Sequence, residues 1–495
     1  MKTLMKTTRY QIFAFVLASA LLGPAAAQAA VREQSLAAFG TSVAVDGGFM
    51  AVGAPYSTSA TNSGVVKVFD STSGALLYVL ASPSPAAGDS FGNSVAISGT
   101  RVVASAPGWF GANRFGSAYV YDLSGATPTV PVATLNNPVP VTEDHFGWSV
   151  AISGTRVVVG SHFDDIGATD AGSAYVYELS SATPSVPVAT LNNPGPAAGD
   201  FFGLAVAISG TRVVVGAYSD DTGASGAGSA YVYDLSGATP TVPVRTLNNP
   251  GPEAGDAFGF SVAISGTRVV VGVPNDYTGA VGAGIAYVYD LASATPTVPV
   301  RTLNNPDSGP AAGDRFGNSV AIFGTRVVVG ARGDDAGAFN SGSAYVYDLS
   351  GGTPTVPVAT LNNPNPAAGD YFGWSVAISG TRVVVGASQD DTVALDAGSA
   401  YVYDLNGATP TVPVTTLNNL DPAAAGNPCL ALVRSGLNVV LSWPTNAPGY
   451  TLQSATNLIA PVTWIDSTVA PSIVGTQFTL TNTTSASRQF FRLKK

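Results

Sequence analysis

Residues 202–256 read FGLAVAISGTRVVVGAYSDDTGASGAGSAYVYDLSGATPTVPVRTLNNPGPEAGD, and this stretch decides the fold. Short runs of β-branched and aromatic residues alternate in it with Gly, Ser, Asp and Pro, which is the pattern of strands separated by tight turns. The stretch therefore predicts four strands, at 205–209, 212–217, 229–235 and 241–247.

Turn chemistry and proline predict how these four strands are ordered. Ser209-Gly210 is a two-residue turn that suits a tight hairpin. The Val-rich run 212–217 is typical of a strand that is covered on both faces. Pro243 cannot donate a hydrogen bond to a ladder, so the fourth strand is predicted to be the outermost. The small first strand suits the crowded position near a central axis.

The Phe-Gly dipeptide that opens this unit recurs at intervals of 52 to 58 residues. Its copies begin at Phe39, Phe91, Phe146, Phe202, Phe258, Phe316 and Phe372. Four-stranded sheets repeated radially make a β-propeller of four to eight blades. We therefore expect an all-β chain with a seven-bladed β-propeller over residues 30–424. A linear β-solenoid is the alternative, and its coils are usually shorter than about 56 residues.

The composition excludes several classes of protein. Of the 495 residues, 46% are hydrophobic and 11% are charged, whereas disorder needs low hydrophobicity and high charge. The formal charge is −10, and no basic run supplies the clustered Lys and Arg that nucleic acid requires. Two His residues and the single Cys429 leave little material for nucleophilic chemistry or for an intrachain disulfide.

The two ends of the chain differ from the repeats. Residues 1–29 combine a basic start, a short apolar run and the small-x-small motif at 27–29, so they predict a secretory signal peptide, with a retained N-terminal anchor as the alternative. No later segment predicts a membrane span, so we expect a secreted or cell-surface protein. Residues 425–495 contain VVLSWP and Trp464 and predict a small β-sandwich-like domain.

Phe-Gly, a Val-rich strand and then Gly-Ala-Pro together resemble the FG-GAP repeat of integrin α-subunit propellers and many bacterial surface proteins. Gly53-Ala54-Pro55 is intact, and later copies drift, as at 105–107, 216–218, 272–274 and 330–332. The unit looks closest to a bacterial subtype that runs AAGDxFGxSVAISGxxVVVGA. The tail resembles C-terminal modules of secreted proteins from environmental bacteria, which implies surface attachment or sorting.

Calcium is the cofactor that this resemblance brings into question. Integrin-type units often carry a D-x-D-x-D-G-x-x-D loop between the first two strands, where this chain has two-residue turns such as Ser98-Gly99. Such a turn has no room for six or more oxygen ligands. The family's calcium loop is therefore not carried over, and we expect no firmly bound cofactor.

Acidic residues recur instead in the loop between the second and third strands. They would form an acidic arc on one face that binds a metal such as Ca²⁺ weakly or attracts a cationic ligand, or they would simply build solvated turns. The pairs are Asp164-Asp165, Asp220-Asp221, Asn275-Asp276, Asp334-Asp335 and Asp390-Asp391. A second acidic residue recurs two positions before Phe-Gly, and we expect it to accept hydrogen bonds from nearby backbone amides. An Arg recurs after the hairpin turns, and we expect it to pair with carboxylates or carbonyl groups between blades.

Two short motifs are further candidates for recognition. Trp109 and Phe110 break the loop pattern of the second repeat, either as a platform for a ligand such as a carbohydrate or as a local hydrophobic plug. Arg332-Gly333-Asp334 spells a tripeptide that some integrins recognise, although so short a match is readily a coincidence in a chain rich in Gly and Asp.

These features together predict an exported, non-catalytic binding or adhesion protein. Its propeller loops would recognise an extracellular protein or polysaccharide, nucleic acid would not be a partner, and no membrane span would remain after signal cleavage. Two alternatives stay open, namely an enzyme acting on extracellular polysaccharide as a lyase or hydrolase, and a structural component of the cell envelope. Repeats so alike do not display the distinctive acid and base residues of an enzyme.

Overall fold

The computed structural model describes most of the repeat region and parts of the tail. The described residues are 37–57, 63–108, 115–306, 311–392, 396–419, 431–435, 438–444, 451–455, 465–467, 470–474, 477–483 and 490–494. All regular structure in these ranges is β. The described residues contain no helix with the length and hydropathy of a membrane span.

The repeat region forms seven antiparallel sheets, each with four strands paired in chain order. The strands of blades one to four are β1 (Ser42–Asp46), β2 (Phe49–Ala54), β3 (Val65–Asp70), β4 (Leu76–Ala81), β5 (Val95–Ser98), β6 (Arg101–Ala106), β7 (Ser117–Asp122), β8 (Ala133–Asn136), β9 (Ser149–Ser153), β10 (Arg156–Ser161), β11 (Ser173–Glu178), β12 (Ala189–Asn192), β13 (Phe202–Ser209), β14 (Arg212–Ala217), β15 (Ser229–Asp234) and β16 (Arg245–Asn248).

The last three blades repeat this arrangement. Their strands are β17 (Ser261–Ser265), β18 (Arg268–Val273), β19 (Ile285–Asp290), β20 (Arg301–Asn304), β21 (Phe316–Phe323), β22 (Arg326–Ala331), β23 (Ser343–Asp348), β24 (Ala359–Asn362), β25 (Phe372–Ser379), β26 (Arg382–Ala387), β27 (Ser399–Asp404) and β28 (Thr415–Asn418). The first strands of neighbouring blades contact one another, and β1 also contacts β25. The seven blades therefore close into a ring, as the repeat count predicts.

The repeated Phe of Phe-Gly fastens each blade to the one before it. Phe146, fully buried, packs on Val103 and Leu135 of blade two and lies 5.6 Å from the ring of Tyr175 in its own blade. The same contact closes the ring, because Phe39 packs against Val384 and Val402 of blade seven. The hydrophobic core thus lies mainly between blades, where flat sheets can bury their apolar faces.

The glycine of Phe-Gly meets the glycine of Gly-Ala-Pro across every such interface but one. A Cβ on Gly160, Gly216 or Gly272 would lie 2.0 Å from the carbonyl oxygen of the Phe-Gly glycine in the next blade. Blade two has Ser105 in place of this glycine. This contact explains why the repeat motif has a glycine at both positions, because residues without a Cβ atom allow two backbones to approach so closely.

All four predicted strands of blade four are present, and two of them begin at residues other than those predicted. The second strand spans Arg212–Ala217 as predicted and is almost wholly buried. The first begins at Phe202, because Phe202 pairs with Ala217 before the register shifts at Ala205. The fourth spans only Arg245–Asn248, and Pro243 lies in the preceding turn because it has no N–H to donate. Its outermost position is as predicted.

Hydrogen bonds between the hairpin turns link most blades around the axis. The amide of Gly154 donates to Ser98 Oγ at 3.0 Å, and equivalent bonds join blades three to four, four to five and five to six. In blade one, Asp46 accepts bonds from Gly99 of blade two and Ser379 of blade seven. Blade six has Phe323 in place of the serine, 48% exposed.

The recurrent arginines lie beside these turns and pair as predicted. Arg156 forms an ion pair with Glu178 of its own blade at 3.3 Å and donates to the carbonyl of Gly210 in the next blade at 3.5 Å. Arg382 pairs with Asp404 at 3.7 Å. These cations therefore stabilise the framework, each through partly exposed and hence weak contacts.

The described parts of the tail are also β. They comprise β29 (Ala431–Ser435), β30 (Asn438–Pro444), β31 (Thr451–Ala455), β32 (Ile465–Asp466), β33 (Ser472–Val474), β34 (Gln477–Thr483) and β35 (Phe490–Lys494). These strands form a four-stranded sheet and a three-stranded sheet. The sandwich-like domain over 425–495 and its boundary at residue 424 stay predictions.

Candidate functional site

The strand order gives the propeller two chemically different faces. In every blade the turns from first to second and from third to fourth strand lie at one end, which we call the hairpin face. The longer loops from second to third strand, and the connections between blades, lie at the opposite end, which we call the loop face. Binding residues of rigid scaffolds concentrate on such connecting loops.

In six of the seven blades an aspartate two residues before Phe-Gly is buried below the loop face, and blade one has Ala37 at this position. Asp144 Oδ2 accepts bonds from the amide of Val141 at 2.8 Å and from Asn137 Nδ2 at 2.7 Å. Burial raises the pKa of Asp144 to about 6, with the negative charge of Asp164 adding to the shift. The predicted bond to backbone amides is therefore confirmed, and the Asn side chain is a partner that sequence reasoning missed.

The predicted acidic pairs separate into a buried and an exposed carboxylate. Asp164 is 3% exposed, and its two oxygens accept bonds from Tyr175 Oη at 2.5 Å and the amide of Ile166 at 2.9 Å. Asp220, Asp334 and Asp390 make the equivalent tyrosine contacts. The exposed partners each accept an amide five residues further on; they are Asp165, Asp221, Asp335 and Asp391.

Blade five corrects the predicted pairing by one residue. Asp276 is buried and accepts the amide of Thr278 at 2.7 Å, so it occupies the place of Asp220. Tyr277 then takes the exposed place, and Asn275 precedes the pair. In the part of the chain that the structure describes, no three His, Cys, Asp or Glu side chains are grouped closely enough to hold a metal. Weak Ca²⁺ binding by these loops stays a prediction.

Three positions on the loop face vary in chemistry while the framework stays constant. They are the residue before Phe-Gly, the residue after it, and the residue that follows the second strand. In blades three to five these positions supply His145, Trp148, His162, Phe201, Tyr218 and Phe260. The variable positions are therefore where one blade differs from the next.

The rings at these positions form one continuous cluster with Phe163. His162 lies 4.7 Å from Trp148 and 4.1 Å from Phe163, and Phe163 lies 5.3 Å from Phe201. Phe201 stacks on Tyr218 at 5.4 Å with an interplanar angle of 13°. We call this set the aromatic cluster. Burial, with the neighbouring His145, lowers the pKa of His162 well below its ordinary value, so the ring is neutral.

The residue before Phe-Gly is held in a fixed but unusual conformation. All seven such residues have φ between 50° and 65°, namely Ala38, Ser90, His145, Phe201, Ala257, Arg315 and Tyr371. A side chain in this left-handed region costs about 1–2 kcal/mol. The amides of Phe201, Arg315 and Tyr371 offset that cost by donating to loop carbonyls of the preceding blade. Variable side chains are thus displayed on a rigid backbone.

Blades six and seven enclose a cleft of about 430 Å³ on the same face. We call it the arginine cleft, and its lining includes Arg315, Arg332, Asp335, Phe339, Tyr371 and Trp374. The Arg332 guanidinium lies 4.4 Å from the ring centroid of Trp374. The rings of Tyr371 and Trp374 make a T-shaped contact, with their centroids 6.1 Å apart. Cations, aromatic rings and polar groups therefore converge in one concave place, as in small-molecule sites.

The two short motifs have different outcomes. The Arg-Gly-Asp tripeptide is unsuited to recognition by an integrin, because Asp334 is 2% exposed and accepts the Tyr345 hydroxyl, while Arg332 packs on Trp374. Trp109 and Phe110 lie outside the described residues. Their role as a ligand platform stays a prediction.

Sequence reasoning missed the aromatic cluster and most of the arginine cleft. The signal that could have found them was the drift of Gly-Ala-Pro, since its third residue is the variable position occupied by His162, Tyr218 and Arg332. When the seven repeats are aligned with one another, the three variable positions, at which the chemical type of the residue changes, lie on the loop face.

Comparison with known proteins agrees with this framework. A family model described as FG-GAP repeat matches six segments, which together cover more than half of the chain. They are residues 80–121, 132–177, 187–233, 245–289, 307–347 and 356–403. Five of them run from the outer strand of one blade to the third strand of the next, the segment 307–347 begins just after an outer strand, and the unit at Phe39 precedes the first match. No curated protein matches the chain.

Proposed function

Because the chain belongs to the FG-GAP repeat family, we propose that it is an exported, non-catalytic binding protein that recognises an extracellular polysaccharide through its loop face. A propeller of this family fits a binding or a structural role in general. The predicted signal peptide at residues 1–29 supports export. Display on the cell surface and adhesion are part of the same proposal.

One observation carries the proposal: the loop face concentrates aromatic and cationic side chains at variable positions of an otherwise uniform repeat. Aromatic faces offer large, rigid apolar contacts, which match the C–H faces of sugar rings. The aromatic cluster and the arginine cleft lie on the same face, so one long polymer can contact both. A protein ligand is the alternative occupant.

The buried acids favour binding over catalysis. Asp144 and Asp164 have raised pKa values, as catalytic acids often do. The oxygens of Asp144, however, accept hydrogen bonds from Asn137 and Val141, which fix the chain that leads into the first strand of the blade. Those of Asp164 accept hydrogen bonds from Tyr175 and Ile166, which fix the loop between the second and third strands. We therefore assign these carboxylates to the framework.

The test measures binding of the full chain to a panel of polysaccharides by affinity electrophoresis and pull-down, with and without chelator. Phe163→Ala in the aromatic cluster and Phe339→Ala in the arginine cleft should each weaken binding. Phe323→Ser is the matched control, because it removes an exposed aromatic ring from the hairpin face and restores the serine of the other blades. Binding only to a protein, or breakdown of a polysaccharide, would overturn the proposal.

A further inference from the structure

We propose that the arginine cleft binds the carboxylate of an acidic sugar residue within such a polysaccharide, an inference that rests on the function proposed above. Nothing in the repeat requires cations at this place. The framework arginines lie at the hairpin face, whereas Arg315 and Arg332 occupy two of the variable positions on the loop face.

The charge of the cleft is the first argument. Two guanidinium groups line one concavity of a chain whose formal charge is −10. Within the described residues, neither Arg315 nor Arg332 has an ion-pair partner. Asp335 is the acidic residue in the lining, and its Oδ1 already accepts the amide of Asn340 at 2.7 Å. Two guanidinium groups against one carboxylate leave the lining of the cleft with a net positive formal charge.

The burial of Arg332 is the second argument. Burial lowers the pKa of its guanidinium, and the positive charge of Arg315 lowers it further. Keeping two cations close together in a partly desolvated place is unfavourable unless an anion joins them. A bound carboxylate would remove this repulsion, and two guanidinium groups provide the planar donors that a carboxylate accepts in pairs.

The orientation of Arg332 is the third argument. Its guanidinium carbon lies 4.4 Å from the ring centroid of Trp374, and Trp374 in turn makes a T-shaped contact with Tyr371. Stacking fixes the plane of the cation and therefore the direction of its donors, so less conformational entropy is lost on binding. Arg332 is thus prepared to receive a ligand.

The aromatic rim identifies the ligand as a sugar rather than a small anion. Phe339 is 68% exposed and lines the same cleft. An apolar ring beside two cations suits a ligand with an apolar ring face and a carboxylate on its edge, which describes a hexuronate. The cleft volume of about 430 Å³ lies in the usual range for small ligands.

The experiment compares polymers that differ in the acidic group. The full chain is titrated with polygalacturonate, with its methyl ester, with dextran and with dextran sulfate at two salt concentrations. We expect binding to polygalacturonate, at least tenfold weaker binding to the ester, and weakening at higher salt. Equal affinity for the ester or for dextran sulfate would overturn the carboxylate assignment.

The variants separate this inference from the proposed function. Arg332→Gln and Arg315→Gln should each weaken binding to polygalacturonate at least tenfold without changing the melting temperature by more than a few degrees. Arg245→Gln, an exposed cation on the outermost strand of blade four, is the matched control and should bind normally. Binding of a neutral polysaccharide that depends on Phe163 but not on Arg332 would overturn the inference and leave the proposed function intact.

Discussion

A Cβ atom added to Gly386 would lie 2.1 Å from the carbonyl oxygen of Gly40, so the last blade meets the first with no space for a side chain. The same contact recurs between consecutive blades. Ring closure therefore uses the same glycine contact as the other interfaces, apart from that between blades two and three, where Ser105 replaces one glycine. Phe39 completes the closure by donating its amide to the carbonyl oxygen of Ala397 at 3.0 Å.

Gly386→Ala should destabilise the propeller by about 3 kcal/mol, the upper part of the usual range for overpacking. The facing atom is a backbone oxygen, which cannot move aside as a flexible side chain would. Urea unfolding measures the change. Gly352→Ala is the control, because nothing lies within 4 Å of its added Cβ. Equal stability of the two variants would contradict the close contact.

Asp256→Asn should leave stability unchanged or raise it at pH 7. Asp256 Oδ2 accepts bonds from Glu253 and Asn249, which an amide oxygen can also accept. Within the described residues, Oδ1 is buried without a partner. Burial raises the pKa of Asp256, and the charge of Asp276 adds to the shift.

The sign of the pH dependence follows from that raised pKa. The carboxyl group contributes its full stability below its ordinary pKa and loses it as the pH rises through the raised value. The advantage of Asp256→Asn should therefore shrink on acidification. Asp256→Ala, which leaves two buried donors unpaired, should cost about 1–3 kcal/mol. Chemical unfolding from pH 4 to 8 measures the stability of both variants. If the free energy of unfolding depends on pH in the same way for the wild type and for Asp256→Asn, the raised pKa of Asp256 is refuted.

His162→Tyr should make the propeller more resistant to mild acid. The pKa of His162 is lowered by burial and by His145, so its contribution to stability is complete above its ordinary pKa and is lost as the pH falls below it. Tyr is the residue that blade four has at this position, in Tyr218. Melting curves at pH 7 and pH 5 measure the effect. An equal loss of melting temperature in both proteins would contradict a buried neutral imidazole.

Chelation should leave the melting temperature unchanged. Both oxygens of Asp164 accept hydrogen bonds within the protein, and Asp165 accepts the amide of Asp170. Differential scanning calorimetry with EDTA and with added Ca²⁺ tests this. A shift of several degrees would show that the acidic loops hold a metal.

Deletion of blade seven, residues 371–419, should give an aggregated product. Phe39 and Val45 would lose the apolar surface supplied by Val384 and Val402, and two blade faces would be exposed. Size-exclusion chromatography and urea unfolding measure the outcome. A soluble fragment of six repeats that folds cooperatively would argue for an open solenoid.

Much of the framework could be predicted from the sequence, because it is set by local patterns repeated in every blade. The Val-rich second strand and the outermost position of the fourth follow from hydrophobic runs and proline. The position of the fourth strand's start does not, because Pro243 has no N–H to donate and the first amide that bonds to the third strand is that of Val244, which donates to Val232 at 2.7 Å.

The loop face could not be predicted in the same way, because its contacts join residues from different repeats. Arg332 and Trp374 are 42 positions apart in the sequence and meet only when blades six and seven pack. Asp164 illustrates the converse, since a carboxylate proposed for metal is held by a tyrosine of the next strand. Residues repeated in every blade therefore indicate the structural framework, whereas positions that differ between repeats indicate where a ligand would be bound.

The four strands of each blade follow one another along the chain, and none of the described strands is exchanged across the point of closure. A tandem duplication or loss of one repeat in the gene would therefore add or remove a complete sheet, with glycine surfaces that fit either neighbour. Among the described residues, the ring then closes through contacts between whole blades and not through a dedicated closing segment. The loop face can acquire or lose recognition sites one blade at a time during evolution.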